Sequence, residues 1–354
     1  MSAHIVSGVC AGWAAWGIGE DQRVTNRIPP EGWPDPEHFA LLNSDFYRAR
    51  PHDYFGRRLQ SLMLVANNVG RLDDLFAQGV KFGKLSATGA PVGEELEGKT
   101  AADRERQTQH FVIAESEVLC HHAGETLLRL YLAHAGTPPS PWLELSRITS
   151  PAGFKELVRR RFGPGAEPVD PAGLAEIARV FYLTDNRQSL DPPPDEDAWN
   201  RGIAIVDGYL RHFAALFLGK AALYNAGKHG LALLPGDVGV ALGDGSILSA
   251  SGPAIQYLQR RKSADGNRRW FRVTHWVRSD LQVALTYMAT TLIAYLWEAA
   301  RVRYVPAARA EGLSVRLLKT GVDELLRAGE DRALVVDEMA LELPYLAQDV
   351  RVPG

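Results

Sequence analysis

Cysteine is scarce in this chain, with only Cys10 and Cys120 among 354 residues. A disulfide-stapled scaffold needs many more, and a cysteine-rich zinc ribbon is excluded by count. A chain of this length buries about three quarters of the surface its unfolded form exposes, so a core can hold it without staples. Net charge is equally small. The 39 basic and 42 acidic side chains leave −3, which excludes a strong global field toward nucleic acid or an anionic membrane. Any anionic partner must therefore meet a local patch. Lysine is rare beside arginine, 8 against 31, a bias toward the planar group that contacts anions bidentately. No run of about 18 uncharged apolar residues stands out, so no membrane span is expected. The apolar opening at 5–18 has no basic residue before it and no A-x-A cleavage site, which leads to the expectation of a cytoplasmic protein.

What is present is helical periodicity. Apolar residues at three- and four-residue spacing predict long helices at about 46–82, 101–135, 196–229 and 279–303, with shorter ones at 151–162, 173–183 and 322–327. The first is broken or started late by Pro51, and a loop is expected at 83–99. Between the last two long helices the pattern changes to period two: strands at 255–262 and 268–277 are joined by Ser263-Ala264-Asp265-Gly266-Asn267, a five-residue hairpin connection. A further strand is expected at 333–343. The fold class is mainly α, a helical bundle with a small β insertion. The expected divisions are an irregular lead-in at 1–43, an N-terminal helical part at 44–190, bundle helices at 196–305 with the insertion at 238–277, and a C-terminal extension at 306–354. The acidic, proline-rich stretch Asp191-Pro192-Pro193-Pro194-Asp195-Glu196-Asp197 is the expected seam.

Charge is not spread evenly. Residues 255–278 hold seven basic groups and one acid, a net +6 that leaves −9 for everything else. Alternation puts Arg268, Trp270, Arg272, Thr274, Trp276 and Arg278 on one face of the second strand, and Arg269, Phe271, Val273, His275 and Val277 on the other. A face alternating guanidinium and indole suits single-stranded RNA or another anionic partner, because arginine neutralises phosphate while a flat ring stacks on a base. The plainer alternative is an Arg-Trp ladder held by cation–π contacts, or indoles buried against a helix.

Two helices carry polar stripes. On the 101–135 helix, Glu115, His122, Glu125 and Arg129 fall on one side, and on the 196–229 helix so do Asp207, Arg211, Asn225 and His229. The second helix is apolar nearly all round, so these groups need partners or a cleft. Facing stripes would make a pocket; the alternative is a buried hydrogen-bond network in a non-enzymatic interaction or regulatory module. Glu117, His121 and Glu125 lack the H-E-x-x-H or paired E-x-x-H spacing, and neither a metal nor another cofactor is expected.

The end of the 196–229 helix, Tyr224-Asn225-Ala226-Gly227-Lys228-His229-Gly230, resembles the N-x-x-K-H-G helix end of the HEPN-like superfamily, bacterial helical bundles tied to RNA cleavage and phage defence. The resemblance implies metal-independent cleavage by an R-x4-6-H pair. The chain departs from it at the arginine position, which holds Ala222, Leu223 and Tyr224, while Arg129-x4-His134 carries the spacing on the earlier helix. By this implication His229 and His122 would serve as base and acid and Arg129 or Lys228 as the cation, with Asn225 beside them. Lys228 also joins the candidate nucleic-acid contacts. A homodimer is compatible with this layout.

A third reading is formal. Gly93-Glu94-Glu95-Leu96-Glu97-Gly98-Lys99-Thr100 matches the phosphate-loop pattern of nucleotide hydrolases, and Ala333-Leu334-Val335-Val336-Asp337-Glu338 imitates its acidic strand. Three glutamates would repel the triphosphate, and no buried strand precedes the loop.

Overall fold

The computed structural model describes residues 34–68, 80–82, 85–87, 100–148, 150–163, 170–228, 233–242, 248–262, 266–311, 313–328 and 338–343. The chain is mainly helical, with a four-stranded antiparallel sheet formed largely between its later helices. Helices α1 (Phe39–Phe46) and α2 (Pro51–Asn67) precede a small hairpin of β1 (Val80–Phe82) and β2 (Leu85–Ala87). Then come α3 (Ala101–His134), α4 (Pro141–Arg147), α5 (Pro151–Phe162) and α6 (Pro171–Tyr182). Helices α7 (Glu196–Gly219) and α8 (Ala221–Lys228) lead to β3 (Leu234–Leu242), β4 (Leu248–Lys262) and β5 (Arg268–Trp276). Last are α9 (Ser279–Tyr304), α10 (Val322–Ala328) and β6 (Glu338–Glu342).

Capping explains where the helices begin. Thr100 and Asp103 form a reciprocal box at the start of α3, with Thr100 N–H donating to Asp103 at 2.9 Å and Asp103 N–H donating to the Thr100 hydroxyl at 3.2 Å. Ser150 and Asp170 cap α5 and α6, each followed by a proline whose missing N–H is no loss at that position. The guanidinium of Arg303 closes the other end of α6, donating to the carbonyls of Arg179 and Leu183 at 2.7 Å each. Those carbonyls would otherwise lack partners.

Two expectations need correction. The helix expected at 46–82 starts late, at Pro51 as its proline indicated, and runs to Asn67, but Val80–Phe82 is a strand paired with Leu85–Ala87 inside the expected loop. The helix expected at 196–229 is interrupted at Lys220, directly after Gly219, although Lys220 N–H still reaches the Leu216 carbonyl at 2.8 Å. Of the strand expected at 333–343, Glu338–Glu342 pairs with β5, and 333–337 lie outside the described residues. Helices α7 and α9 are also long and apolar enough by length and composition to cross a membrane. Their buried residues, Val206, Leu210 and Phe213 on one and Leu285, Leu292 and Leu296 on the other, belong to packed cores.

Contacts divide the chain into two units that interleave in sequence, because α3, α7 and α9 each contribute to both. One comprises residues up to 50, 128–210 and 292–321; the stretch 191–197 lies inside it. Its core holds Tyr131, Phe154, Val158, Ile177, Phe181 and Trp297. His134 is buried there between two partners: the Tyr47 hydroxyl at 2.7 Å from Nε2 and the Leu130 carbonyl at 2.6 Å from Nδ1. A carbonyl only accepts, so Nδ1 carries the proton and Tyr47 donates to Nε2. Burial, more than the Arg303 charge, holds this imidazole down at about 4 despite the Leu130 bond. The unfolded chain takes up a proton below about 6.5 and the folded chain does not. The stabilisation is therefore complete above pH 6.5 and declines by something on the order of 3 kcal/mol as pH falls toward 4. Urea midpoints across that window should trace this decline, and a His134→Gln variant should lose it.

The second unit comprises 51–127, 211–291 and 322–354. Here α3 and α7 approach closely at Gly124, where an added Cβ would stand 2.6 Å from Cδ1 of the buried Phe213 ring. Gly124→Ala is expected to cost about 1–3 kcal/mol through overpacking, measured as a drop in urea midpoint. The sheet has the order β3-β4-β5-β6 and packs one face against helices. Ile255, Tyr257 and Val273 meet Ile113 of α3 and Leu223 of α8 in one apolar cluster.

Candidate functional site

The sheet segregates its charge by face. The register pairs Lys262 with Arg268, Arg260 with Trp270, and Leu258 with Arg272, while Arg272 in turn faces Leu341 of β6. Paired residues project to the same side, so these seven share one face in three rows about 7 Å apart. That face is open: Trp270 is 37% exposed, Leu258 55% and Leu341 50%. Arg260, Lys262, Arg268 and Arg272 are exposed, and none of the four makes an ion pair among the described residues. The carboxylates of β6 lie on the opposite face, where Glu338 accepts from Arg261 and Glu342 from Arg269, each at 2.7 Å. Among the described residues, cations therefore stand unneutralised beside an indole on one side of the sheet, and neutralised on the other.

The open face stops part-way along β5. Gln256 donates to the Thr274 hydroxyl at 3.0 Å, and Thr274 and Trp276 are buried. The Trp276 indole N–H donates to the Val238 carbonyl at 3.2 Å, so this ring is an internal packing group and not part of the free surface. Arg278 follows the strand, half-buried, and its carbonyl accepts the first-turn N–H of Gln282 at the start of α9.

The polar stripe on α3 does not act as a unit. His122 belongs to the second unit, half-buried against Phe55, with Nδ1 3.3 Å from the Arg58 guanidinium. Arg58 only donates, so Nδ1 is the acceptor. Arg58 also pairs with Glu115. Arg129 lies in the first unit, its guanidinium 4.0 Å from the centroid of the Phe154 ring and donating to the Ile148 carbonyl. Asn225 is exposed on α8. His229 and the side chain of Lys228 lie outside the described residues, as does the phosphate-loop match except Thr100, whose hydroxyl caps α3.

A buried cluster joins residues that the stripes did not connect. Glu117 accepts from His121 Nε2 at 3.2 Å on α3, and Nε2 of His275 on β5 lies 3.7 Å from the same oxygen. All three side chains are almost fully buried. Lys220, at the interruption between α7 and α8, brings its ammonium to 3.3 Å from His275 Nε2. The Tyr224 ring stacks on His121, and Cys120 lies buried beside the group. Burial pushes the Glu117 carboxyl up, but the His121 hydrogen bond and the attraction of His121, His275 and Lys220 outweigh it and hold the group at about 2. Burial, reinforced by Glu117, pushes the Cys120 thiol up, which leaves it an inert packing group. Alternation along β5 correctly placed His275 on the packed face. No local pattern indicates that a helix interruption would deliver Lys220 to it.

No family model, curated protein or solved structure matches this chain.

Proposed function

We propose that the protein binds RNA through the open face of its sheet, acting in the cytoplasm as a binding module. The observation that carries this reading is the segregation of four unpaired cations and one exposed indole onto a single face while the neighbouring glutamates pair on the other. A polyanion with flat apolar surfaces matches that chemistry, because phosphates meet guanidinium groups while bases meet the indole and the leucines. The helix end at 225–230, with its resemblance to HEPN-like proteins, supports the same class of partner.

Binding is favoured over cleavage by the state of the Arg129-x4-His134 pair. Arg129 donates to a backbone carbonyl, and both nitrogens of His134 are occupied. Anisotropy of a labelled single-stranded 12-mer at about 0.1 M salt tests the proposal. Wild type should bind, and an Arg260→Glu/Arg272→Glu double variant should lose binding. Undiminished binding by that variant would remove the sheet face from consideration. Recovery of intact RNA after incubation in EDTA separates a binder from a nuclease.

A further inference from the structure

A cleft of about 460 Å³ opens between α2 and α3, along stretches of both helices that belong to the second unit. That volume suits a small organic molecule. Leu62 and Val65 of α2 and Phe111 of α3 make an apolar wall, and Tyr54 adds a second aromatic ring. Both rings are open, Phe111 at 49% and Tyr54 at 51% exposure, so a flat apolar body in the cleft would take ring surface out of water on two helices at once. The cleft shares no residue with the open face of the sheet.

Four charged side chains line the same cleft, and they are of two kinds. Arg58 and Glu115 satisfy each other as an ion pair. The Arg58 guanidinium also donates to the Tyr54 hydroxyl at 3.3 Å, lies 3.3 Å from His122 Nδ1, and sits 5.6 Å from the centre of the Tyr54 ring. It is thereby fixed in place with its charge matched inside the protein. Arg57 and Asp53 are not matched in this way. The exposed Arg57 guanidinium makes one long hydrogen bond, to the Gln60 side chain at 3.4 Å, and no ion pair among the described residues. The Asp53 carboxylate is 59% exposed, and its nearest cationic group, His52 Nε2, lies 3.6 Å away, beyond hydrogen-bonding reach. Asp53 and Arg57 stand one turn apart on α2, the spacing that makes helix side chains neighbours. Ser61, the remaining polar group of the lining, spends its proton on the Arg57 carbonyl at 2.9 Å.

We propose that this cleft binds a free α-amino acid with an aromatic side chain. Its carboxylate accepts from Arg57, its ammonium donates to Asp53, and its ring lies against Leu62, Val65 and Phe111. Charge balance selects this class of ligand. The four charges of the lining sum to zero, so an aromatic acid would satisfy Arg57 while adding negative charge beside Asp53 and Glu115. An aromatic amine would satisfy Asp53 while adding positive charge beside two arginines. A zwitterion satisfies both open groups and leaves the balance unchanged, and the ring requirement excludes small aliphatic amino acids.

Calorimetric titration of the full chain at about pH 7.5 tests the assignment. L-Phenylalanine should bind with a Kd of about 1 mM or below. Phenylacetate and phenethylamine each lack one of its two charges, and each should bind about tenfold more weakly or worse. Alanine, which lacks the ring, should give no measurable heat. Arg57→Ala and Phe111→Ala should each weaken phenylalanine binding by about tenfold while leaving the urea midpoint within about 0.5 kcal/mol-equivalent of wild type, because both side chains are exposed. No binding of phenylalanine at 10 times that Kd, phenylacetate binding as tightly as phenylalanine, or full binding by both variants would each overturn the proposal. RNA binding by the sheet is measured separately and is expected to survive both substitutions.

Discussion

Replacing Glu117 with alanine is expected to cost about 3–5 kcal/mol, the largest single-site loss in the molecule. The carboxylate is the negative charge that meets Lys220 and two imidazoles, and the site is closed to water at Glu117, His121 and His275. Removing it leaves two buried imidazoles and a half-exposed ammonium without the carboxylate that pairs with them. Against a total stability of about 5–15 kcal/mol, such a loss could unfold the protein at physiological temperature. Glu117→Gln preserves the shape and an acceptor for His121, so it should lose less and remain folded. Because the folded carboxyl is held at about 2, below its ordinary 4.5, its contribution is complete above about pH 4.5 and disappears as pH falls toward 2. Urea midpoints of wild type and Glu117→Gln should converge in that acid range. Parallel curves would mean that Glu117 does not stabilise the fold through its charge.

The second large effect concerns the surface. Trp270→Ala should weaken binding of single-stranded RNA by about 5- to 150-fold, the equivalent of 1–3 kcal/mol for one stacked base. The ring has cations in register on its own strand at Arg268 and Arg272, and Arg260 across from it, so a base placed over it has phosphates within reach of charge on each side. Stacking is insensitive to salt, and so the substitution should lower affinity by a constant factor across ionic strengths. Trp270→Phe should recover most of the loss. Trp276→Ala provides the contrast: that indole is buried and hydrogen-bonded to Val238, and its loss should appear as instability and not as a specific loss of RNA affinity.

Much of this architecture is legible in the chain itself. The helices at Ala101–His134, Pro151–Phe162 and Ser279–Tyr304 announce themselves through apolar period and end signals, and the hairpin through alternation around Gly266 and Asn267. These features are local, so local pattern suffices. What escapes is tertiary. Alternation assigns Trp270 and Trp276 to one face, but where that face passes beneath other structure depends on what packs over it, and β5 is open at one end and sealed at the other. Likewise the wheel of α3 puts His122 and Arg129 on one stripe, yet a helix of roughly 50 Å crosses two packing units, and its stripe serves different neighbours at each end. The Glu117 cluster needs α3, β5 and the interruption at Lys220 together, and no window of sequence contains all three.

The most direct measurement of the central claim is the salt dependence of single-stranded RNA binding. If Arg260, Lys262, Arg268 and Arg272 each neutralise a phosphate, log K should fall against log salt with a slope of about −3, near −0.7 per contact. Each arginine-to-alanine change on that face should flatten the slope by about 0.7. A slope close to zero, or one that Arg268→Ala and Arg272→Ala leave unaltered, would contradict the assignment of the sheet face as the RNA-binding surface.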